Sequence, residues 1–458
     1  MVIPRSAGSR ISRLSLLSCF LSISISLLAS ETPDAVDSSC AAVMVGESFG
    51  VGSLLDAANF CPVLATRLET ELVALPVEPA PIGVTAPASS LQHNFLAREE
   101  GGERVVLGVR RLLNEINDHG ISFQGIFVND WSKDLQDHFA STSGFGRLSF
   151  DLVTTIDGKK LFGLPGSAAV ARLKQHTREF GMSSDGAAQV YSNIDAPSKT
   201  ILYELWLEQR LWSDRLRFKG GKIDANTEFA TVQNASVFLN SSMGFSPTIM
   251  AFPTYPSPKL AFTAYLKSVA HGSVGFGIFQ TEGMGRLTVI EPGKTWTTPS
   301  ELPGRISVGY WRLDGRVDHF DGSSYNSTQG YYSVLEQALW RKDLGSGNER
   351  RLSAFFQFGE ADDNVSLLTN HVGGGLTLQA PSGRRSKDSV GIAFTRVAFT
   401  SAPEQGVHSP ELVLEAYYKF AITKHLALVQ DFQYLHHPGG LSSNRDCPIV
   451  TPRLVVSF

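Results

Sequence analysis

The chain has 458 residues, 42% of them hydrophobic, 10% aromatic and 18% charged, with 42 Gly, 28 Phe and 4 Cys. Forty Lys and Arg against 44 Asp and Glu give a formal charge of −4, so there is no basic excess to gather nucleic acid by counterion release, and four Cys exclude a disulfide scaffold. Low charge with abundant Gly and Phe suits a β-rich protein whose outer surface need not be polar throughout.

Arg5, Arg10 and Arg13 precede an apolar run from Leu14 to Ala29 and a polar exit at Ser30-Glu31-Thr32-Pro33. A basic stretch, an apolar stretch too short for a comfortable membrane span and a small-residue exit predict a secretory signal peptide over residues 1–30. Residues 31–102 are rich in Ala, Pro, Ser and Val and read as a periplasmic extension or linker. Cys40 and Cys61 lie within it, and sequence leaves open whether they bridge in an oxidising compartment or stay two thiols. Residues 103–119 place Val106, Val109, Leu112, Leu113 and Ile116 at helical spacing, which predicts a short amphipathic helix stopping at Asp118-His119-Gly120.

From residue 120 to 458 the period becomes two. Alternating segments begin with Ile121–Val128, Arg147–Val153, Ala169–His176, Ile201–Trp212, Arg215–Gly221, Leu260–Leu266, Val274–Phe279 and Ile306–Leu313. They continue with Tyr331–Trp340, Leu352–Phe358, Val365–Leu378, Ser389–Val397, Glu411–Phe420, Leu426–Leu435 and Val450–Phe458. That makes fifteen strands, and a closed antiparallel bacterial barrel needs an even number. A sixteenth is expected between Thr227 and Leu239 or near Gly285–Ile290. Sixteen strands leave roughly 21 residues for each strand and its connection, enough for transmembrane strands joined alternately by turns and loops. The expected fold is all-β: a closed antiparallel transmembrane β-barrel of sixteen strands behind a short amphipathic helix.

Alternation also assigns faces. Ile201, Tyr203, Leu205 and Leu207 share one side of their strand, and Glu204, Trp206, Glu208 and Arg210 the other. Further along, Leu412, Leu414, Ala416, Tyr418 and Phe420 oppose Val413, Glu415, Tyr417 and Lys419. Soluble sandwiches alternate as well. The signal peptide, the many strands without intervening helices and the alternating end Arg453-Leu-Val-Val-Ser-Phe458 favour a membrane barrel, with Phe458 in an aromatic girdle and serving the barrel-assembly machinery as a terminal signal.

Several segments in order carry a resemblance: Leu202-Tyr-Glu-Leu-Trp-Leu-Glu-Gln-Arg, Gly221-Lys-Ile-Asp-Ala-Asn-Thr-Glu-Phe-Ala, Phe238-Leu-Asn-Ser-Ser-Met-Gly and Gly309-Tyr-Trp-Arg-Leu-Asp-Gly-Arg. Glu336-Gln-Ala-Leu-Trp-Arg, Asp388-Ser-Val-Gly-Ile-Ala-Phe, Glu415-Ala-Tyr-Tyr-Lys-Phe and Asp431-Phe-Gln-Tyr-Leu-His-His-Pro-Gly-Gly follow. From about Leu107 to Phe458 the chain resembles the carbohydrate-selective porins of the OprB type. It departs from them in lacking a Gly-Asp-Trp-Gly-Gly opening and in carrying the long extension after Glu31. The resemblance implies a sixteen-stranded outer-membrane channel for small sugars, narrowed by loops folded into the lumen.

A neutral polyol needs a wet path with hydrogen-bonding groups of both signs and an apolar face for its ring, whereas a ring of one charge would select ions. Glu204, Trp206, Glu208 and Arg210, then Arg217 and Lys219 on the next strand, then Lys222, Asp224 and Glu228 at the head of a connection, are the candidate sugar-binding residues. Each taken singly is better explained by ion pairing that holds the wall, and the sugar reading leads only for the group, because Trp206 lies on the charged face. Arg172, Lys174 and His176 are weaker lumen candidates.

Catalysis finds no support. Glu204 and Glu208 would stand about 13 Å apart on a strand, too far for either glycosidase class, and no nucleophile, metal-protease or phosphate-loop motif occurs. His436 and His437 precede a Pro-Gly-Gly turn and read as solvated rather than as metal ligands. The expectation is thus a passive channel without catalytic residues, cofactor or metal. Its partners are small sugars and outer-membrane lipid, with no nucleic acid, and a monomer and a homo-oligomer both stay open. It is expected in the outer membrane of a Gram-negative-type bacterium after signal-peptide cleavage. A secreted soluble β-protein that binds glycans and an outer-membrane barrel enzyme are the rival readings.

Overall fold

The computed structural model describes residues 114–135, 145–178, 186–249, 251–268, 271–345, 348–382, 385–402 and 409–458. The expected signal peptide, the expected extension with Cys40 and Cys61, and most of the expected amphipathic helix lie outside these residues. Residues 114–118 form one helical turn. It stops where expected, with Gly120 at a φ of 96° donating its amide to the Asn117 carbonyl at 2.9 Å.

Sixteen strands follow. They are β1 (Ile121–Asp134), β2 (Phe145–Asp157), β3 (Ser167–Arg178), β4 (Lys199–Leu211), β5 (Leu216–Ile223), β6 (Lys259–Lys267), β7 (Gly272–Gln280) and β8 (Arg286–Thr297). The second half comprises β9 (Pro303–Asp318), β10 (Ser324–Gly345), β11 (Asn348–Ala361), β12 (Leu368–Gln379), β13 (Ser389–Phe399), β14 (Glu411–Ala421), β15 (Leu426–His436) and β16 (Cys447–Ser457). Each pairs antiparallel with its neighbour in sequence, and β1 closes on β16 with Ile126 opposite Ser457 and Asp130 opposite Arg453. All fifteen expected strands are present. The sixteenth is β8, at the second of the two places anticipated; Thr227–Leu239 holds helical turns instead.

The two faces meet different surroundings. Leu207, Phe262, Ile290, Val308, Phe356, Ile392, Leu414 and Phe432 point outward and are exposed, Leu207 by 64%. Asp130, Arg147, Ser149, Glu336, Gln357, Glu415 and Gln433 point inward and are buried. Apolar outside and polar inside is the inverse of a soluble barrel and the arrangement a bilayer demands. Strand β14 follows the expected faces, with Leu414 and Phe420 outward and Val413, Glu415 and Tyr417 inward.

Strand β4 does not. A register shift opposite Arg172 and Leu173 makes a bulge at Tyr203, so Ile201 and Tyr203 are buried in the lumen along with Glu204, while Leu207 faces out. The extra residue flips the parity of everything before it.

Connections differ by end. At the end where β16 finishes they are short, such as residues 212–215 and 422–425, or capped, as where Asp157 accepts amides from Lys159 and Lys160 to start α1 (Gly158–Phe162) and left-handed Gly163 stops it. At the opposite end stand the two longest, residues 179–198 and 224–258. The second contains α2 (Ala225–Glu228), the 3₁₀ turn η1 (Gln233–Ala235) and α3 (Ser241–Gly244). The described part of the first, residues 186–198, and the second turn back into the lumen.

Candidate functional site

The 224–258 loop can enter the barrel because it brings its own apolar core and finds acceptors for its backbone. Phe229 packs against Phe279 and Tyr265, and Phe238 sits edge-on to Phe355 and Tyr417 at 5.7 and 4.8 Å between ring centroids. Phe238 also explains Gly391: a Cβ there would lie 2.7 Å from the Phe238 ring and 2.4 Å from that of Tyr417. Buried amides need partners, and inward carboxylates of the far wall supply them. Glu336 accepts from Asn234 N at 2.6 Å, Glu291 from Ala230 N at 2.9 Å, and Glu415 from the amides of Leu239 and Asn240. Gln357 donates to the carbonyls of Ser242 and Met243 at 2.6 and 2.8 Å.

The 186–198 part of the other loop is tied in the same way. Glu411 accepts from Ala188 N and Gln189 N, each at 2.8 Å, and Ser192 donates to Asp130. The two loops also bond each other, Asn193 N to the Leu239 carbonyl at 2.8 Å and Ser241 N to that of Val190 at 2.9 Å. His371 of β12 bridges Ser246 and Thr395, and Thr395 donates on to Gln189.

Beside this double loop, β2 to β5, β9 and β10 carry a run of ion pairs, joined by Glu228 of the loop. Arg172 holds Asp151 with Nε and Nη2 at 3.0 and 3.2 Å and reaches Glu204 at 3.3 Å; Lys174 shares Asp151 at 3.0 Å. Glu208 pairs with Arg210 at 2.6 Å and Arg217 at 3.6 Å. Glu228 takes both Arg217 and Lys219, and Glu336 takes Arg305. Aromatic faces lie against the cations: Trp206 under Lys219 at 3.9 Å, Tyr265 under Arg217 at 4.5 Å, and Tyr203 under Arg172 and Lys174, each at 5.0 Å. The exposure is one-sided. Arg172, Arg217 and Arg305 keep 24–26% of their side chains exposed, while Glu204, Glu208, Glu228 and Glu336 keep 1–7%.

The structure brings eight of the nine candidate residues together. Glu204, Trp206, Glu208, Arg210, Arg217 and Lys219 line adjacent strands, and Glu228 joins them from the loop. Asp224 starts that loop by capping α2, accepting from Asn226 N and from the hydroxyls of Tyr203 and Thr254, while its amide donates to Glu204 at 3.2 Å. Lys222 is the exception. It registers opposite Leu205, on the other parity from Trp206 and Lys219, and its ammonium donates to the Leu202 carbonyl at 2.7 Å. Arg172, Lys174 and His176 do face the lumen.

Asp151, Tyr203, Tyr265, Arg305 and Glu336 complete the cluster without having been singled out from sequence. Asp151 and Glu336 lie inside the expected strands Arg147–Val153 and Tyr331–Trp340, whose faces are not assigned from sequence, Arg305 stands one residue before the expected strand Ile306–Leu313, and the bulge hides Tyr203. His436 pairs with Asp446 at 2.8 Å and stacks on His437, and no metal-sized cluster of acidic, His or Cys side chains occurs among the described residues.

The family model described as "Carbohydrate-selective porin, OprB family" matches residues 148–458. Porin B of Pseudomonas aeruginosa is 21% identical over 294 residues, a match spanning 52% of this chain and 64% of Porin B. The high-pH structure of Pseudomonas putida OprB superimposes with a TM-score of 0.68 at 18% identity, covering 75% of this chain and 96% of that one. Its low-pH structure gives 0.50 at 19% identity, with 75% and 95% covered.

Proposed function

The chain belongs to the OprB family of carbohydrate-selective porins, and from that premise we propose that it is an outer-membrane channel for passive diffusion of small sugars, and not an enzyme. The observation that carries the reading is the one-sided exposure of the ion-pair run. Carboxylates buried behind the guanidinium groups cancel their charge, so the wetted wall offers directional donors with little net field. Such a wall exchanges hydrogen bonds with sugar hydroxyls without concentrating anions. Trp206 and Tyr265, half-buried beside these donors, supply apolar faces for a pyranose ring, while buried Tyr203 backs Arg172 and Lys174.

The remaining candidates take distinct parts in this reading. Glu204, Glu208 and Glu228 set the charge of Arg172, Arg210, Arg217 and Lys219; Asp224 fixes the root of the loop; Lys222 acts on the backbone of β4 rather than on the sugar. Cleavage of residues 1–30, recognition of Phe458 by the assembly machinery and any homo-oligomer belong to the same proposal. The outward belt of Leu, Ile and Phe speaks against a soluble glycan binder, which would have to hold it in water.

Planar-bilayer conductance with stepwise addition of glucose or maltose tests the function. Saturable block of an otherwise steady current is expected. A current indifferent to both sugars, or catalytic turnover of either, would overturn the proposal.

A further inference from the structure

Strand β10 is 22 residues long, and with β11 it forms a hairpin at the end of the barrel where the chain finishes. Alternation sorts the hairpin's four cations. Arg341 registers opposite Arg351, and Lys342 opposite Arg350. Arg341 and Arg351 are neutralised by Glu301 at 2.6 Å and Glu349 at 3.0 Å. Lys342 and Arg350 form no ion pair among the described residues, and the nearby Asp343 is occupied by the Gly345 amide at 2.8 Å.

These two cations stand on the outer face. Arg350 is two residues from Leu352, which shares the outward parity of exposed Phe356, and its guanidinium lies 5.9 Å from the Trp340 ring centroid. A bulge between Ala338 and Trp340 turns Leu339 and Trp340 outward together, exposed by 47% and 42%. The outer wall therefore ends in two large apolar side chains followed by two uncompensated positive charges.

Toward mid-wall from that point lies an apolar furrow of about 840 Å³ crossing β11 to β15. Small residues Ala354, Gly374 and Ala416 lie between the larger Phe356, Phe394 and Phe432. Gly374 registers between Phe356 and Phe394, and a Cβ there would come to 3.0 Å from the Phe355 carbonyl. Four residues of strand separate Ala354 from Arg350, about 13 Å, a span bridged by the glycerol of a lipid and an extended arginine side chain.

We propose that this part of the outer wall binds one anionic glycerophospholipid, with its headgroup phosphate on Lys342 and Arg350, its glycerol beside Trp340 and Leu352, and an acyl chain in the furrow. Charge complementarity selects the occupant: a quaternary ammonium headgroup would set a third cation against the pair, whereas an uncharged glycerol headgroup leaves the phosphate negative. The proposal rests on the wall being embedded in lipid, as the channel reading requires.

Native mass spectrometry of the full chain in detergent, titrated with dipalmitoyl phosphatidylglycerol or dipalmitoyl phosphatidylcholine, tests it. One phosphatidylglycerol should be retained with a Kd roughly thirtyfold lower than that of phosphatidylcholine, as two surface cations would give. The variant K342Q/R350Q should erase that preference. Ala416→Phe, which fills the furrow, should weaken both lipids. Excess inorganic phosphate should displace neither. Equal retention of the two lipids by the unaltered chain, an undiminished preference in K342Q/R350Q, or displacement by phosphate alone would overturn the site. Sugar block in bilayers, recorded on the same preparations, should be unchanged in both variants; its absence from the unaltered chain would sink the channel reading, whatever lipid is retained.

Discussion

Tyr203 and Trp206 are three residues apart and both meet cations in the lumen, which a regular strand does not allow. The bulge makes it possible, and with it comes a division of labour. Tyr203 bonds to Asp224 and is 2% exposed, whereas Trp206 is only partly buried, packing at the edge of the apolar cluster around Phe229 with Lys219 over one face. Replacing Trp206 with Ala should therefore weaken sugar block by about fivefold, the equivalent of about 1 kcal/mol for an aromatic contact, and leave assembly intact. Unchanged block would remove Trp206 from the sugar path. Glu228 offers the complementary test because it alone serves both Arg217 and Lys219. Glu228→Gln removes one negative charge, leaving Arg217 only Glu208 at 3.6 Å, and should move the reversal potential in a KCl gradient toward anion selectivity. A channel with the same ion selectivity would show that Glu228 does not set the charge of the wetted wall.

At the scale of elements, the inward loops depend on wall residues far away in sequence. Glu415 is the clearest case: it is buried, lies on β14, and accepts the amides of Leu239 and Asn240 at the heart of the 224–258 loop. Glu415→Ala strands those amides, a cost of about 1–3 kcal/mol each. Single-channel recordings of that variant should show a larger, noisier conductance with weaker sugar block. A conductance identical to that of the unaltered chain would mean that packing of Phe229, Phe238 and Ile249 holds the loop without it. This dependence also explains what could be read in advance. Strands are legible because each follows its own period of two, and β8 is legible only as one of two possible places because Pro292 and Gly293 interrupt its apolar alternation. The loop's path was not legible: Phe229 and Phe238 suggest burial but name no partner, and the strand once allowed at Thr227–Leu239 reflects that ambiguity. Glu336 and Glu415 stood within the family segments, yet their task of receiving loop amides exists only after the barrel closes.

At the scale of the whole barrel, each strand has two partners and no free edge, and charge also acts on stability at the turns that join the strands. Asp388, at the foot of β13, is 1% exposed. Burial opposes its charge, but the Arg385 guanidinium at 2.6 Å, the Ala421 amide at 2.9 Å and the Tyr418 hydroxyl at 3.0 Å outweigh it and hold the carboxyl below the usual range. Asp446 beyond β15 is held low as well, burial being outweighed by Tyr434, His436 and the His437 amide. A carboxyl with a depressed folded-state pKa contributes fully above its unfolded value, near 3.9, and loses that contribution as pH falls through the folded value. Acid should thus leave the barrel's resistance to heat unchanged from neutrality down to about pH 4 as far as these two groups are concerned, and erode it below. Asp388→Asn removes one of the two titrating groups, so its heat-modifiable gel band should already be less heat-resistant at pH 7 and should change less between pH 4 and pH 2 than that of the unaltered chain. Parallel curves for the two proteins over that interval would show that Asp388 does not link proton uptake to the integrity of the barrel.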